Sequence, residues 1–403
     1  MKRLKIQLAI IVVVTLLSCT KSTNNSPQDP PVILEDKGAI ATINNKLAWD
    51  LFNEETAAKP DKNVLISPFS ILTALAMANN GAGGNTLAEM LKTMHCSGCD
   101  VQSVNQQLKN LTSFMTKESG HPYLTITNGY FFDKSRINLE SQFVNKLTTE
   151  YNCAFKEENF TIEQQSLDNI NNWVATQTNG KINGILEKIG PLDVAFFINA
   201  LHFKADWSLG FSQDMTSENN FTNADGTVVK HDFVQGIRMV PIAFKSGFMM
   251  VDIPFKDSTY SMSLITSSGQ TPTSKLTDEI YQVLQDNLVE GNIFLSFPKM
   301  NLNYRTNLIP SLRSLGMIDA FKAQKADFTA MGTSSENLFI NQAIHKAVLE
   351  VDEKGAEGAA VTSLGVGVTE MPPAMIFNKP YYLVIRNIET NTLLFIAYVG
   401  QNP

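Results

Sequence analysis

Five histidines, His95, His121, His202, His231 and His345, are the side chains that titrate nearest neutral pH in this chain, and no two stand at i, i+4. A helical zinc site of the H-E-x-x-H type is therefore missing. So are a G-x-S-x-G nucleophile elbow and a P-loop ending in G-K-[ST]. "GAGG" at Gly81–Gly84 follows a helix-like run instead of opening one, so it is no phosphate cradle. Glu157-Glu158 reads as a solvated face. Cys96 and Cys99 form a lone C-x-x-C without a second pair at zinc spacing; a small local disulfide and two free thiols are both open readings. A serine brought beside a histidine by folding would escape this search, because triads are defined by geometry. No catalytic constellation stands out, and no metal or cofactor is expected.

The segment with the most distinctive chemistry is an inert one. "DEKGAEGAAVTSLGVGVTEMPPA" runs from Asp352 to Ala374 between two strand-like runs, Ala347–Val351 and "FNKPYYLVIRN". A connection of roughly twenty residues inside a compact domain is uncommon and is usually functional or disordered. At period two, Ala356, Gly358, Ala360 and Thr362 share one face of an extended chain, and every one is small. Such a face can be buried between existing strands without overpacking. Gly355 stands just ahead of it, where a hinge needs free backbone angles. Beyond Leu364, "GVGVTEMPP" is uncharged but for one glutamate, and an exposed glycine-rich peptide is readily cleaved by a protease. The loop thus combines a cleavable tip with a segment able to become a strand.

The elements that must carry this loop are legible from periodicity. Ile43, Leu47, Leu51 and Phe52 repeat at helical spacing. "SPFSILTALAMANNG" predicts a helix capped by Ser67, with Pro68 in its first turn and a stop at Asn79-Asn80-Gly81. Further helices are predicted over Leu139–Tyr151 and Leu167–Thr178. Long apolar runs at Asp193–Phe203, Asn292–Met300 and Leu393–Gly400 predict strands. Helices gather in the first half and strands in the second, which argues an α+β fold. The 403 residues are 43% hydrophobic and 18% charged, enough for a large core, and a net charge of -7 without a basic run disfavours nucleic acid.

The N-terminus reads as a targeting segment. Lys2, Arg3 and Lys5 precede an apolar run, Leu8–Leu17, too short for a comfortable membrane span. Leu16-Leu17-Ser18-Cys19 resembles a bacterial lipobox, which implies acylation of Cys19. Residues 1–18 are then a lipoprotein signal peptide, 19–36 a polar tether, and 37–403 one domain. The polar tract "TKSTNNSPQDPP" suits a hydrated spacer. The expected location is the envelope of a bacterium, at the periplasmic face or the cell surface, held by lipid.

"IHKAVLEVDEKGAEGAA" closely resembles the hinge region of the serpins, the serine protease inhibitor family. "NVLISPFSILTALAMANNGAGGNTLAEML", "TNGYFFDKS", "TNGKINGIL", "FFINALHFKADW", "FNKPYYLVIRN" and "LLFIAYVGQNP" are similar to family segments in family order. The resemblance implies the serpin fold, with three sheets, about nine helices and an exposed reactive-centre loop. It implies a suicide-substrate inhibitor, not an enzyme: a serine or cysteine endopeptidase cleaves the loop, and the freed hinge inserts into the central sheet before the acyl-enzyme is hydrolysed. Loop insertion in serpins is a known case of strand addition that releases stored strain. The partner is then a target endopeptidase in a covalent complex, and the inhibitor a monomer. The alternative is a non-inhibitory binding or chaperone protein on the same fold.

Carried onto this chain, the hinge comprises Glu353, Gly355, Ala356, Glu357, Gly358, Ala359 and Ala360. Counting from the hinge forward and from Phe377 back places the reactive bond between Thr369 and Glu370, with Val368 the neighbour. No Lys or Arg lies between Gly355 and Asn378. Elastase-like, subtilisin-like or papain-like targets are therefore expected over trypsin-like ones. Ser67, Ser70, Asn199 and His345 match the shutter beneath the opening sheet, and Trp207 with Glu353 matches the breach where insertion begins.

Overall fold

A computed structural model describes residues 36–116, 123–267, 275–356 and 372–403. The first helix, α1 (Lys37–Ala58), begins where the Asp36 carboxylate accepts from Ala39 N–H at 2.9 Å. Strand β1 (Val64–Ile66) leads into α2 (Pro68–Asn79), which is buried on almost every side and is thus a core helix. Two amphipathic helices follow, α3 (Gly84–Thr93) and α4 (Val101–Met115). The chain then alternates through β2 (Tyr123–Asp133), β3 (Asn138–Leu139), α5 (Ser141–Tyr151), β4 (Ala154–Glu158), α6 (Glu163–Gln177) and β5 (Ala195–Asp206).

The second half is mostly strand. It runs β6 (Ser217–Thr222), β7 (Val228–Lys245), β8 (Phe248–Pro254), β9 (Tyr260–Ser267), α7 (Asp278–Asp286), β10 (Val289–Pro298) and β11 (Met300–Asn307). After α8 (Ile309–Ser314) come β12 (Gly332–Thr333), β13 (Ile344–Val351), β14 (Gly355–Ala356), β15 (Ala374–Ile376), β16 (Tyr381–Asn387) and β17 (Leu393–Val399). Among the described residues there are thus eight α-helices and three short 3-10 turns, against about nine helices expected. None of these helices is long and apolar enough to cross a membrane.

A nine-stranded sheet runs β1-β17-β16-β9-β8-β7-β10-β15, with β6 also on β7. Its members β16 and β17 are buried on both faces, as central strands of a covered sheet are. A second layer comes in two pieces, β14-β5-β2-β4 and β11-β13, with a separate β12-β3 pair. The hydrogen bonding therefore divides differently from three continuous sheets. Among the described residues β5 and β13 share no backbone pairing, and the short β14 bridges only the top of the space between them.

Helix α6 covers the outer face of β2 and β5. Ile170 and Val174 pack there with Phe131, Phe196 and Ile198 in a core of their own. Trp173 lies so close to β2 that a Cβ on Gly129 would stand 2.9 Å from its ring. Helix α2 packs against β5 as well.

Candidate functional site

Strand β13 alternates buried and half-buried residues along its length, with His345, Ala347, Leu349 and Val351 inward. It ends in a tight reversal where the Asp352 carboxylate accepts from Lys354 N–H at 2.7 Å and Gly355 N–H at 3.3 Å. The chain then turns onto β5: Gly355 pairs with Asp206 and Ala356 with Ala205. Gly355 has φ +150°, and a Cβ there would overlap the carbonyl oxygen of Ala205. No other residue fits.

The corner is held by Trp207 and Glu353. The indole N–H of Trp207 donates to Asp352 O at 2.9 Å, its backbone N–H donates to Lys354 O at 2.8 Å, and its ring stacks on Phe255 at 4.6 Å. Phe211 N–H donates to Glu353 O at 2.8 Å. The Glu353 carboxylate is 3% exposed; it takes a hydrogen bond from Thr216 and pairs with Lys299 at 2.9 Å. Burial works against its charge, yet Thr216 and Lys299 outweigh it and hold the carboxyl below the usual range.

Lower between the strands the polar residues form two groups. Ser67 N–H donates to His345 Nε2 at 3.1 Å, on the β13 side. Burial pushes the His345 imidazole down to about 4, against the opposing pull of the Glu55 carboxylate, so at neutral pH the ring is uncharged and accepts. On the β5 side, the Ser70 hydroxyl donates to Asn199 Oδ1, Asn199 donates to Asn128 Oδ1 at 2.7 Å, and Asn128 donates to Tyr151 O at 2.8 Å. The Tyr151 hydroxyl continues to Asn105 at 2.6 Å. Both groups are anchored at the N-terminus of α2. A cavity of about 510 Å³ lies between them, walled by Phe196–Asn199 on one side and Ala343–Lys346 on the other.

A family model described as Serpin (serine protease inhibitor) matches residues 42–401. The chain belongs to the serpin family. Iripin-1 of Ixodes ricinus is 29% identical over 377 residues, spanning 90% of this chain and 94% of that protein. Serpin B8 of Homo sapiens is 29% identical over 368 residues, 88% and 97% of the two chains. The crystal structure of tengpin, a thermophilic serpin, in the native state superposes with a TM-score of 0.83 at 28% identity, covering 93% of this chain and 97% of that one. Tengpin in the latent state gives 0.78 at 27% identity, covering 93% and 100%. The family is one of protease inhibitors, and the protein is not an enzyme.

Several expectations change once side chains are placed in this serpin. Ser67 occupies the N-cap of α2, but its hydroxyl makes no cap bond; its backbone N–H is used by His345 instead. The four residues expected at the shutter meet in two hydrogen-bonded pairs at the N-terminus of α2, His345 with Ser67 and Asn199 with Ser70. Cys96 and Cys99 are joined in a disulfide, with Cα atoms 5.3 Å apart. Cys153 is the free cysteine among the described residues, and burial pushes its thiol up to about 12, so it stays protonated. Glu357, Gly358, Ala359, Ala360, Val368, Thr369, Glu370 and Cys19 lie outside the described residues, as do residues 1–18 and nearly all of the expected tether.

Sequence reasoning missed the buried carboxylate of Glu55. It accepts from the hydroxyls of Tyr304 at 2.5 Å, Thr306 at 2.9 Å and Ser311 at 2.6 Å, tying α1 to β11 and α8 below His345. Lys299 and Thr216, which face Glu353, were missed as well. Nothing local marks these residues, since each partner is supplied by a distant part of the chain.

Proposed function

We propose that this serpin is a suicide-substrate inhibitor that traps an endopeptidase as an acyl-enzyme. The target attacks the bond between Thr369 and Glu370, and its nucleophile becomes esterified to the Thr369 carbonyl as the peptide from Glu370 onward leaves. The hinge, already turned onto β5 at Gly355–Ala356, then continues downward as a new strand. That first pairing carries the proposal: strand addition costs least where a register already exists. In that register Ala356, Gly358, Ala360 and Thr362 fall level with Ala205, Phe203, Leu201 and Asn199, three of which are buried, so the small face of the loop meets the core.

The native form is then held by kinetics, its unoccupied strand position storing the free energy that insertion releases. The residues before the bond are small and uncharged, which fits elastase-like, subtilisin-like or papain-like targets. We further propose that the protein is exported, acylated on Cys19 and held at a bacterial envelope, with residues 19–36 as spacer. The soluble domain, mixed with an elastase, is expected to give a complex that survives denaturing electrophoresis, with a released peptide beginning at Glu370. Clean cleavage without a complex, in a cleaved form no more heat-stable than the intact one, would rule the trap out.

A further inference from the structure

The lower end of the space between β5 and β13 is closed by a buried carboxylate that no expectation included. Asp193, two residues before β5, is 1% exposed. Its Oδ1 accepts from Asn341 Nδ2 at 2.6 Å and its Oδ2 from Gln342 Nε2 at 2.7 Å. Both donors lie just ahead of β13. Oδ2 also accepts from Gly190 N–H at 2.6 Å, which closes the turn before β5. The backbone is fixed too: Arg136 donates to Asp193 O at 2.7 Å and to Pro191 O at 3.0 Å, and pairs with Asp133 at 3.5 Å. Asp193 is thus rigidly mounted on the β5 side and holds the β13 side through two charge-assisted hydrogen bonds. The cavity between the strands lies immediately above.

Register shows when these bonds come under load. Gly355 is opposite Asp206 and Ala356 opposite Ala205, so an inserting strand steps down β5 one residue for each residue of loop. It passes Asn199 at Thr362 and arrives level with Asp193 at Val368, the residue before the proposed Thr369. A strand lying between two others holds them about 10 Å apart. With a main chain between them, Asp193 cannot keep its contacts to Asn341 and Gln342.

We infer that Asp193 is a latch specific to the native state, and that breaking it is the last structural step before the whole loop up to the reactive bond is buried. This rests on the insertion reading above. The latch holds the lower end shut while the upper end is already open, and so prolongs the life of the uninserted inhibitor. Removing it lowers the barrier to unprompted insertion and leaves the inserted form intact, because there the bonds are already broken.

The test compares wild type, Asp193→Asn and the double variant Asn341→Ala/Gln342→Ala, each intact and after loop cleavage by an elastase. The isosteric Asn leaves an amide where two donors now converge, and the double variant removes the donors should that change impair folding. The expected result is about a tenfold shorter half-life of inhibitory activity on warming and a lower melting temperature of the intact form, with the cleaved form unchanged. Equal losses in intact and cleaved forms would make the contact an ordinary structural one and overturn the latch, as would no change in either. A wild-type protein that gains no heat stability on cleavage would overturn the insertion reading itself, and the latch with it.

Discussion

Two buried carboxylates, Glu353 and Asp193, stand at opposite ends of the space between β5 and β13, and their partners differ in kind. Glu353 takes an ammonium group and a hydroxyl from Lys299 and Thr216, both outside the two strands that part in the proposed insertion. Asp193 takes two neutral amides from the segment leading into β13, directly across the space. The first arrangement fixes the corner from which the proposed insertion would start, and can persist throughout it. The second is available only while the strands are together. Burial and hydrogen bonding alone do not separate an anchor from a latch; what separates them is whether the bond crosses the surface that opens.

The largest effect is expected at the upper end. Gly355→Val places a Cβ against Ala205 O at a positive φ, a strain of about 4 kcal/mol. The β14 pairing should be lost, and partition between trapped complex and released protease should move toward release by about a thousandfold. Complex yield on a denaturing gel reads this directly. Normal yields would show that the Gly355–Ala356 pairing is not the start of insertion.

Next comes the middle of the space. The His345 imidazole is uncharged in the native state, with a pKa pushed down to about 4 from an ordinary 6.5. A group depressed on folding contributes stability that is fully present above its unfolded value and is lost as the pH falls through the folded one. The native state should therefore weaken between about pH 6.5 and pH 4, by on the order of 3 kcal/mol. His345→Ala should be less stable at neutral pH, should lose activity faster by spontaneous insertion, and should lose this part of the pH dependence. A variant with wild-type heat stability and inhibition would remove His345 from the gate.

The smallest effect belongs to the anchor. Glu353→Gln keeps the shape but removes the charge facing Lys299, and should cost about 1–2 kcal/mol. The Glu353 carboxyl is held below its ordinary range, so this stability is present above the unfolded value and fades as the pH falls through the folded one. Unlike the latch variants, it should weaken intact and cleaved forms alike, as two melting curves would show. A loss confined to the intact form would make Glu353 a second latch and erase the contrast.

The sequence by itself determined the family and the α+β class, and it marked out an inert loop and a candidate hinge. These are local or periodic signals: a small face at period two, a glycine where only glycine fits, helices marked by Pro68 and by spaced leucines. Gly355 could be singled out because its own backbone angles carry the requirement. The polar groups that hold the native form were decided by tertiary structure. Asp193 and Asn341 are 148 residues apart, Glu55 and Ser311 256 apart, and a lone polar residue does not reveal whether it will be buried or what will face it. Even Ser67, whose type announced a helix cap, gives that end of α2 to His345 instead, because folding brought an imidazole from 278 positions away within reach of its N–H. Hydrogen bonds of this kind depend on where a distant segment comes to rest, and only the packed chain fixes that.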